Sequence, residues 1–185
     1  MTTVTTGNEA LRRRFFLLPL SVGREDGQDL NCLFTQNQVV EALGRTTRIY
    51  PAPFTPPYLL GSVLRHDALI PVIDVDALCG GTERGKRGRV EAHQMLVIRT
   101  GRQDEKGEFL RLAVACSGTV ITFKLTDREL ARPVEPMAAP AGFAGQGLAG
   151  GFFRLRDHRV VVMDFDALVQ GSFRPPANGG QNVVS

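Results

Sequence analysis

The stretch VIDVDAL at residues 72–78 returns as VMDFDAL at residues 162–168. An apolar strand ending in Asp-x-Asp admits three readings: carboxylates converging on a cation, an acid/base pair, or the seam of a duplicated building block. Sliding the chain against itself by 90 residues separates them. Gly61 falls on Gly151, Asp67 on Asp157 and Val72 on Val162, while Asp74, Asp76, Ala77 and Leu78 fall on Asp164, Asp166, Ala167 and Leu168 without a gap. Self-similarity at one fixed offset marks a repeated structural unit. Two related lobes are expected.

The carboxylates themselves favour architecture over chemistry. Side chains two apart on a strand share a face, so Asp74 and Asp76 could converge on an ion. A divalent cation needs more oxygen ligands than two, and no third carboxylate recurs beside either pair. No metal is therefore expected. The reading preferred here has Asp76 and Asp166 capping the short helical turn that follows, with Asp74 and Asp164 accepting hydrogen bonds where the strand ends. Neither copy continues into the Thr/Ser-Gly of a protease dyad.

Other motifs fail on context. Gly80-x4-Gly85-Lys86 is followed by Arg87 where a phosphate loop needs Ser or Thr, and GQGLAG at 145–150 follows coil and leads into a strand. His66, His93 and His158 are scattered, with no G-x-S-x-G and no reactive cysteine signature. With no acid, base and oxyanion donors assembled, neither enzymatic activity nor a cofactor is expected.

The composition, 43% apolar and 22% charged with 20 Gly and 11 Pro, suits a soluble chain of short strands and turns. The net charge of +3 is concentrated in RRR at 12–14 and GKRGR at 85–89. These runs motivate the alternative reading, a small β-barrel that binds nucleic acid through basic loops. They lack the breadth and interleaved aromatics of such a surface, so no nucleic-acid partner is expected. Cys32, Cys79 and Cys116 share no motif spacing and lie in or beside apolar runs, which fits a reducing, cytoplasmic setting. RRRFFLLPLSV imitates an export signal, but its apolar run is short, Pro19 interrupts it, and GREDGQD follows. It reads as a buried first strand, too short to insert into a membrane.

Along the chain, residues 1–13 and 171–185 are expected to be disordered tails, and the first strand to occupy about 14–22. LNCLFTQNQVVEAL continues as one extended or mixed segment. RIYPAPFTPPYLLG, with four prolines, is an ordered extended loop. SVLRHDALIPVIDV gives two strands about a turn at Arg65–Asp67, and DALCGG a helical turn stopped by glycine. HQMLVIRTG and GEFLRLAVACSG form a hairpin, TVITFKL a strand, and ARPVEPMAAPAGFAGQG an irregular stretch. GGFFRLRDHRVVVMDFDAL then repeats the strand–turn–strand–helix plan.

From about residue 14 to 170 these segments resemble the CheW family, the adaptor modules of bacterial chemosensory arrays. The likeness rests on the apolar first strand, on Val39-Val40-Glu41 for its V-x-E, and on Tyr58-Leu59-Leu60-Gly61 for its aromatic-x-x-Gly. Pro71-Val72-Ile73-Asp74 and the later Gly151, Asp157 and Val160–Met163 complete it. The family's Asn-Leu-Arg-Gly turn is Leu64-Arg65-His66-Asp67 here, so His66 holds the Arg position beside Arg65. The usual Val-Asp of the later hairpin is Ala115-Cys116.

The resemblance implies an all-β, CheW-like fold: two small intertwined SH3-like five-stranded barrels with a few short helical turns. It implies one domain over 14–170, with lobe one at about 23–90 and lobe two at about 91–170 plus the first strand. It also implies a non-enzymatic adaptor between the cytoplasmic tip of a methyl-accepting chemoreceptor and the regulatory domain of a CheA-type histidine kinase. Such adaptors leave room for self-association or ring assembly. Carried over by motif, the partner-binding residues are Val39, Glu41 and Gly61, with Arg65 and His66 at the divergent turn. The departures suit a type IV pilus (twitching) or other alternative chemosensory system.

Overall fold

Frequent Gly and Pro cut the chain into short extended pieces, and β-branched residues between them pair as strands. The computed structural model describes residues 12–25, 27–44, 46–81, 94–115 and 118–171. The first half supplies β1 (Arg12–Glu25), β2 (Gln28–Thr35), β3 (Val39–Leu43), β4 (Leu59–Arg65), β5 (Ala68–Asp74) and the helical turn α1 (Val75–Leu78). The second supplies β6 (Met95–Gln103), β7 (Phe109–Ala115), β8 (Ile121–Thr126), α2 (Asp127–Leu130) and the two-residue β9 (Glu135–Pro136). A 3-10 turn (Ala144–Leu148), β10 (Ala149–Leu155), β11 (His158–Met163) and α3 (Phe165–Val169) follow.

The strands form two curled sheets, ordered β8-β1-β2-β11-β10-β9 and β3-β6-β7-β5-β4. The all-β expectation with short helical turns holds, and β9 makes one sheet six-stranded. The first strand begins at Arg12, inside the expected tail, because Arg12 and Arg13 pair with Thr126 and Leu125 through backbone. LNCLFTQNQVVEAL is two strands in different sheets, broken at Gln36–Gln38, rather than one segment. The basic run at 85–89, the Gly85-Lys86 decoy, His93, Cys116, and the tails at 1–11 and 172–185 lie outside the described residues.

Sheet membership corrects the chain-order division into lobes. β2, expected in lobe one, lies beside β1, while β6 and β7, expected in lobe two, lie centrally among β3, β4 and β5. The reason is visible in their side chains. Met95, Val97, Ala113 and Ala115 fill the interior of the second sheet, whereas Leu96, Ile98, Leu112 and Val114 face the core between the sheets. A strand with two buried faces belongs at the centre of a sheet.

The duplication is more extensive than one offset reveals. Shifted by 90, the β4–β5 bulge at Leu59/Gly61 falls on the β10–β11 bulge at Ala149/Gly151. The first three strands of each unit repeat at 80 instead: Leu17↔Leu33 matches Val97↔Ala113, and Phe15↔Phe123 matches Met95↔Leu43. The hairpin-tip Gly27 (φ 75) likewise corresponds to Gly107 (φ 79). Each unit places its first two strands in one sheet and its remaining long strands in the other. The barrels are intertwined by this mutual exchange.

Candidate functional site

The two Asp pairs sit where the exchanged halves meet. Asp74 Oδ1 accepts from the Asp76 and Ala77 N–H groups at 3.0 and 3.2 Å, and Asp164 Oδ1 from Asp166 and Ala167 at 2.9 and 3.3 Å. The first carboxylate of each pair is therefore the helix cap, correcting the expectation that Asp76 and Asp166 take this role. The capping residue must still be extended, and Asp74 and Asp164 are. The second carboxylate crosses to the opposite sheet. The Ser21 N–H in β1 donates to Asp76 Oδ1 at 2.5 Å, and the Gly101 N–H in β6 to Asp166 Oδ1 at 2.8 Å. These contacts tie the barrels together. Among the described residues no cluster of three or more His, Cys, Asp or Glu could hold a metal ion.

Residues carried over by motif converge on the rim of the second sheet. Glu41 lies on β3 and Arg65 on β4, the two edge strands, with three strands between them. Alternation puts Glu41 on the face of buried Leu43, and Arg65 on that of buried Val63. As the sheet curls, these inward-pointing side chains meet. Arg65 Nε donates to Glu41 Oε1 at 3.1 Å and Nη2 to the other oxygen. The fork closes the barrel and suits the guanidinium's planar geometry. Hydrogen bonds from Arg65 hold the Glu41 carboxyl below its ordinary range. Partial burial opposes this, and the Arg65, His66 and Arg111 charges add to it.

The other carried-over residues have distinct places. Val39 packs against the core between the sheets, and a bulge in the β3–β6 pairing turns Val40 outward. His66 is exposed in a two-residue turn with Asp67, both at positive φ (47° and 64°) as hairpin twist requires. Gly61 is buried at φ 135°, where a Cβ would lie 2.1 Å from the Tyr50 carbonyl oxygen. Its absence lets the Tyr50 backbone bridge to Ser62. Gly61 thus shapes the rim from beneath and offers no surface of its own.

Around this rim lies an apolar surface that sequence reasoning missed. Leu64 and Leu69 face each other across the β4–β5 hairpin and are 54% and 68% exposed, with Val40 and Tyr50 also exposed. Apolar residues in strands read as core, which hides them. The repeat held the signal: shifted by 90, Leu64 becomes Arg154 and Leu69 becomes Arg159. Arg159 is buried and donates to the Gly23 carbonyl and to Glu25. The equivalent hairpins have diverged, and one of them displays leucines.

The first sheet is closed by different chemistry. Arg156 at the β10–β11 turn donates to the Lys124 carbonyl and to Glu129. Thr126 N–H and hydroxyl hydrogen bonds, with Arg156, hold Glu129 down to about 2. His158 lies against Phe123 in this barrel. Cys32 and Cys79 are buried free thiols, and burial pushes both well above the ordinary thiol range. Among the described residues, no helix is long and apolar enough to cross a membrane.

No protein-family model and no curated protein matches the sequence. Among solved structures the chain is similar to the scaffolding protein TtCheW from Thermoanaerobacter tengcongensis. The two share 18% identity at a TM-score of 0.54, over 95% of this chain and 100% of that one. The likeness shows a CheW-like fold.

Proposed function

We propose that this chain is a non-enzymatic cytoplasmic adaptor that couples the cytoplasmic tip of a methyl-accepting chemoreceptor to the regulatory domain of a CheA-type histidine kinase. It would serve flagellar chemotaxis or, given the divergent turn, a type IV pilus (twitching) system. The observation that carries the reading is the exposed Leu64–Leu69 pair beside the Glu41–Arg65 closure, at positions where the sister hairpin carries arginines. An exposed apolar patch with a polar rim is what a protein partner covers. The likeness in fold to a scaffolding protein supports the same role. Val40, Leu64 and Leu69 supply the apolar contact, with Val39 and Gly61 as its support. Glu41, Arg65 and His66 provide the polar edge.

Pull-down of the purified chain with the regulatory domain of a CheA-type kinase from the same genome tests this. Capture at micromolar concentration is expected. Failure to bind that domain and any receptor tip would remove the proposal.

A further inference from the structure

The two barrel mouths are closed unequally. Within the repeat, Ile121 pairs with Leu17 as Glu41 pairs with Val97, and Leu155 pairs with His158 as Arg65 pairs with Ala68. The ion pair that closes the second barrel therefore has Ile121 and Leu155 as its counterparts in the first, and two apolar side chains cannot form one. Arg156 ties the first barrel at Lys124 and Glu129 instead, farther along the chain from Ile121. The mouth at Ile121 stays open as a cleft of about 570 Å³. That is the size of a small-molecule site, roughly 300–1,000 Å³.

A buried polar side chain lines this cleft with one atom unused. Leu30 and Cys32 face the core between the sheets, so Asn31 between them points into the first barrel. Asn31 is 4% exposed, and its amide nitrogen donates to the Asp29 and Arg159 carbonyl oxygens at 3.0 and 3.3 Å. Among the described residues no donor reaches its Oδ1, which is not enclosed by protein and faces the cleft. The rim carries both signs of charge. Arg24 lies 3.3 Å from Asp29, and Asp157 stands beside His158. A guanidinium has five donors, more than one carboxylate engages. Pro19 and Ile121 give an apolar wall. The loop behind that wall is pressed against β1, since a Cβ on Gly118 would collide with Pro19 Cγ.

We propose that the mouth of the first barrel is a binding site for a small zwitterion, a free α-amino acid. Its ammonium donates to Asn31 Oδ1 within reach of the acidic rim, its carboxylate pairs with Arg24, and its side chain lies on Pro19 and Ile121. A ligand of one sign would meet a like charge on this rim, whereas a zwitterion answers both. The unused Asn31 oxygen selects a hydrogen-bond donor, because a buried acceptor is costly to leave unpaired. The inference stands apart from the adaptor reading, since it involves neither the Glu41–Arg65 rim nor the Leu64–Leu69 hairpin.

Calorimetric titration of the native full-length chain with each of the natural L-amino acids, up to millimolar concentration, tests it. At least one should bind saturably. Its decarboxylated amine and its N-acetyl derivative, each lacking one of the two charges, should bind about tenfold more weakly or worse. Two variants at exposed positions locate the site, with circular dichroism checking that each stays folded. Arg24→Gln should weaken binding by about tenfold, and Ile121→Trp, which fills the mouth, should abolish it. No binding of any amino acid at millimolar concentration overturns the proposal. So does undiminished binding by folded Ile121→Trp, which would put the ligand elsewhere. Equal binding of the amine or the N-acetyl derivative would overturn the zwitterion as the ligand class.

Discussion

Arg65 and Glu41 stand on the two outermost strands of one sheet, and their forked ion pair joins the edges that backbone pairing leaves apart. The closure joins β4, which carries exposed Leu64, to β3, which carries exposed Val40, so one side-chain contact serves both the barrel and the surface proposed for a partner.

The pair should make stability sensitive to acid. Glu41 titrates below its ordinary 4.5 when folded, because Arg65 hydrogen-bonds its ionised form. Its contribution is complete above the unfolded value and is lost as pH falls through the lower, folded value. Urea midpoints measured from neutral pH down through the carboxylate range should therefore fall less steeply for Glu41→Gln than for the native chain. Equal slopes would contradict the linkage.

The cross-sheet carboxylates should be unequal. Asp76 is 1% exposed and serves a buried seam, whereas Asp166 and Gly101 lie nearer solvent. Asp76→Ala leaves the Ser21 N–H without this acceptor and should cost about 1–3 kcal/mol, the range for an unsatisfied buried donor. Asp166→Ala should cost less. Chemical denaturation of the two variants checks the order, and a reversed order would count against these contacts as barrel ties.

Gly61→Ala should act through folding rather than through contact. The added Cβ meets the Tyr50 carbonyl oxygen at 2.1 Å, and φ 135° is itself unfavourable for alanine. The loss should reach about 3 kcal/mol or more, as backbone strain combined with overpacking does. A Gly61→Ala chain with native thermal stability and defective partner binding would show that Gly61 lies in the interface after all.

The legibility of the chain follows from which residues obey local rules. Asp74, Asp164, Gly61 and Gly151 recur because caps and bulges demand particular residues, so the offset of 90 stood out in the sequence. The offset of 80 was hidden because Leu17 and Val97, or Phe15 and Met95, fill equivalent core places with different apolar side chains. Strand exchange was illegible for a related reason. β2 beside β11 and β5 beside β7 are parallel pairings between distant segments. Of the candidate site, resemblance points to Glu41 and Arg65, but their union needs the curl of the sheet. The role of Asp76 is illegible locally because its hydrogen-bond partner, Ser21, lies 55 residues away.

Leu64 and Leu69 carry the claim that this barrel is a docking surface. Leu64→Ser/Leu69→Ser should preserve the thermal midpoint within a few degrees, since both side chains already face solvent. The same double change should weaken a partner that covers them by about tenfold or more.

Calorimetric titration of a CheA-type regulatory domain from the same genome into the native protein and into Leu64→Ser/Leu69→Ser tests the adaptor account most directly. The account predicts saturable micromolar or tighter binding by the native chain, and loss of at least about tenfold in a variant that remains folded. No heat with the native chain, or undiminished binding by the folded variant, would contradict it.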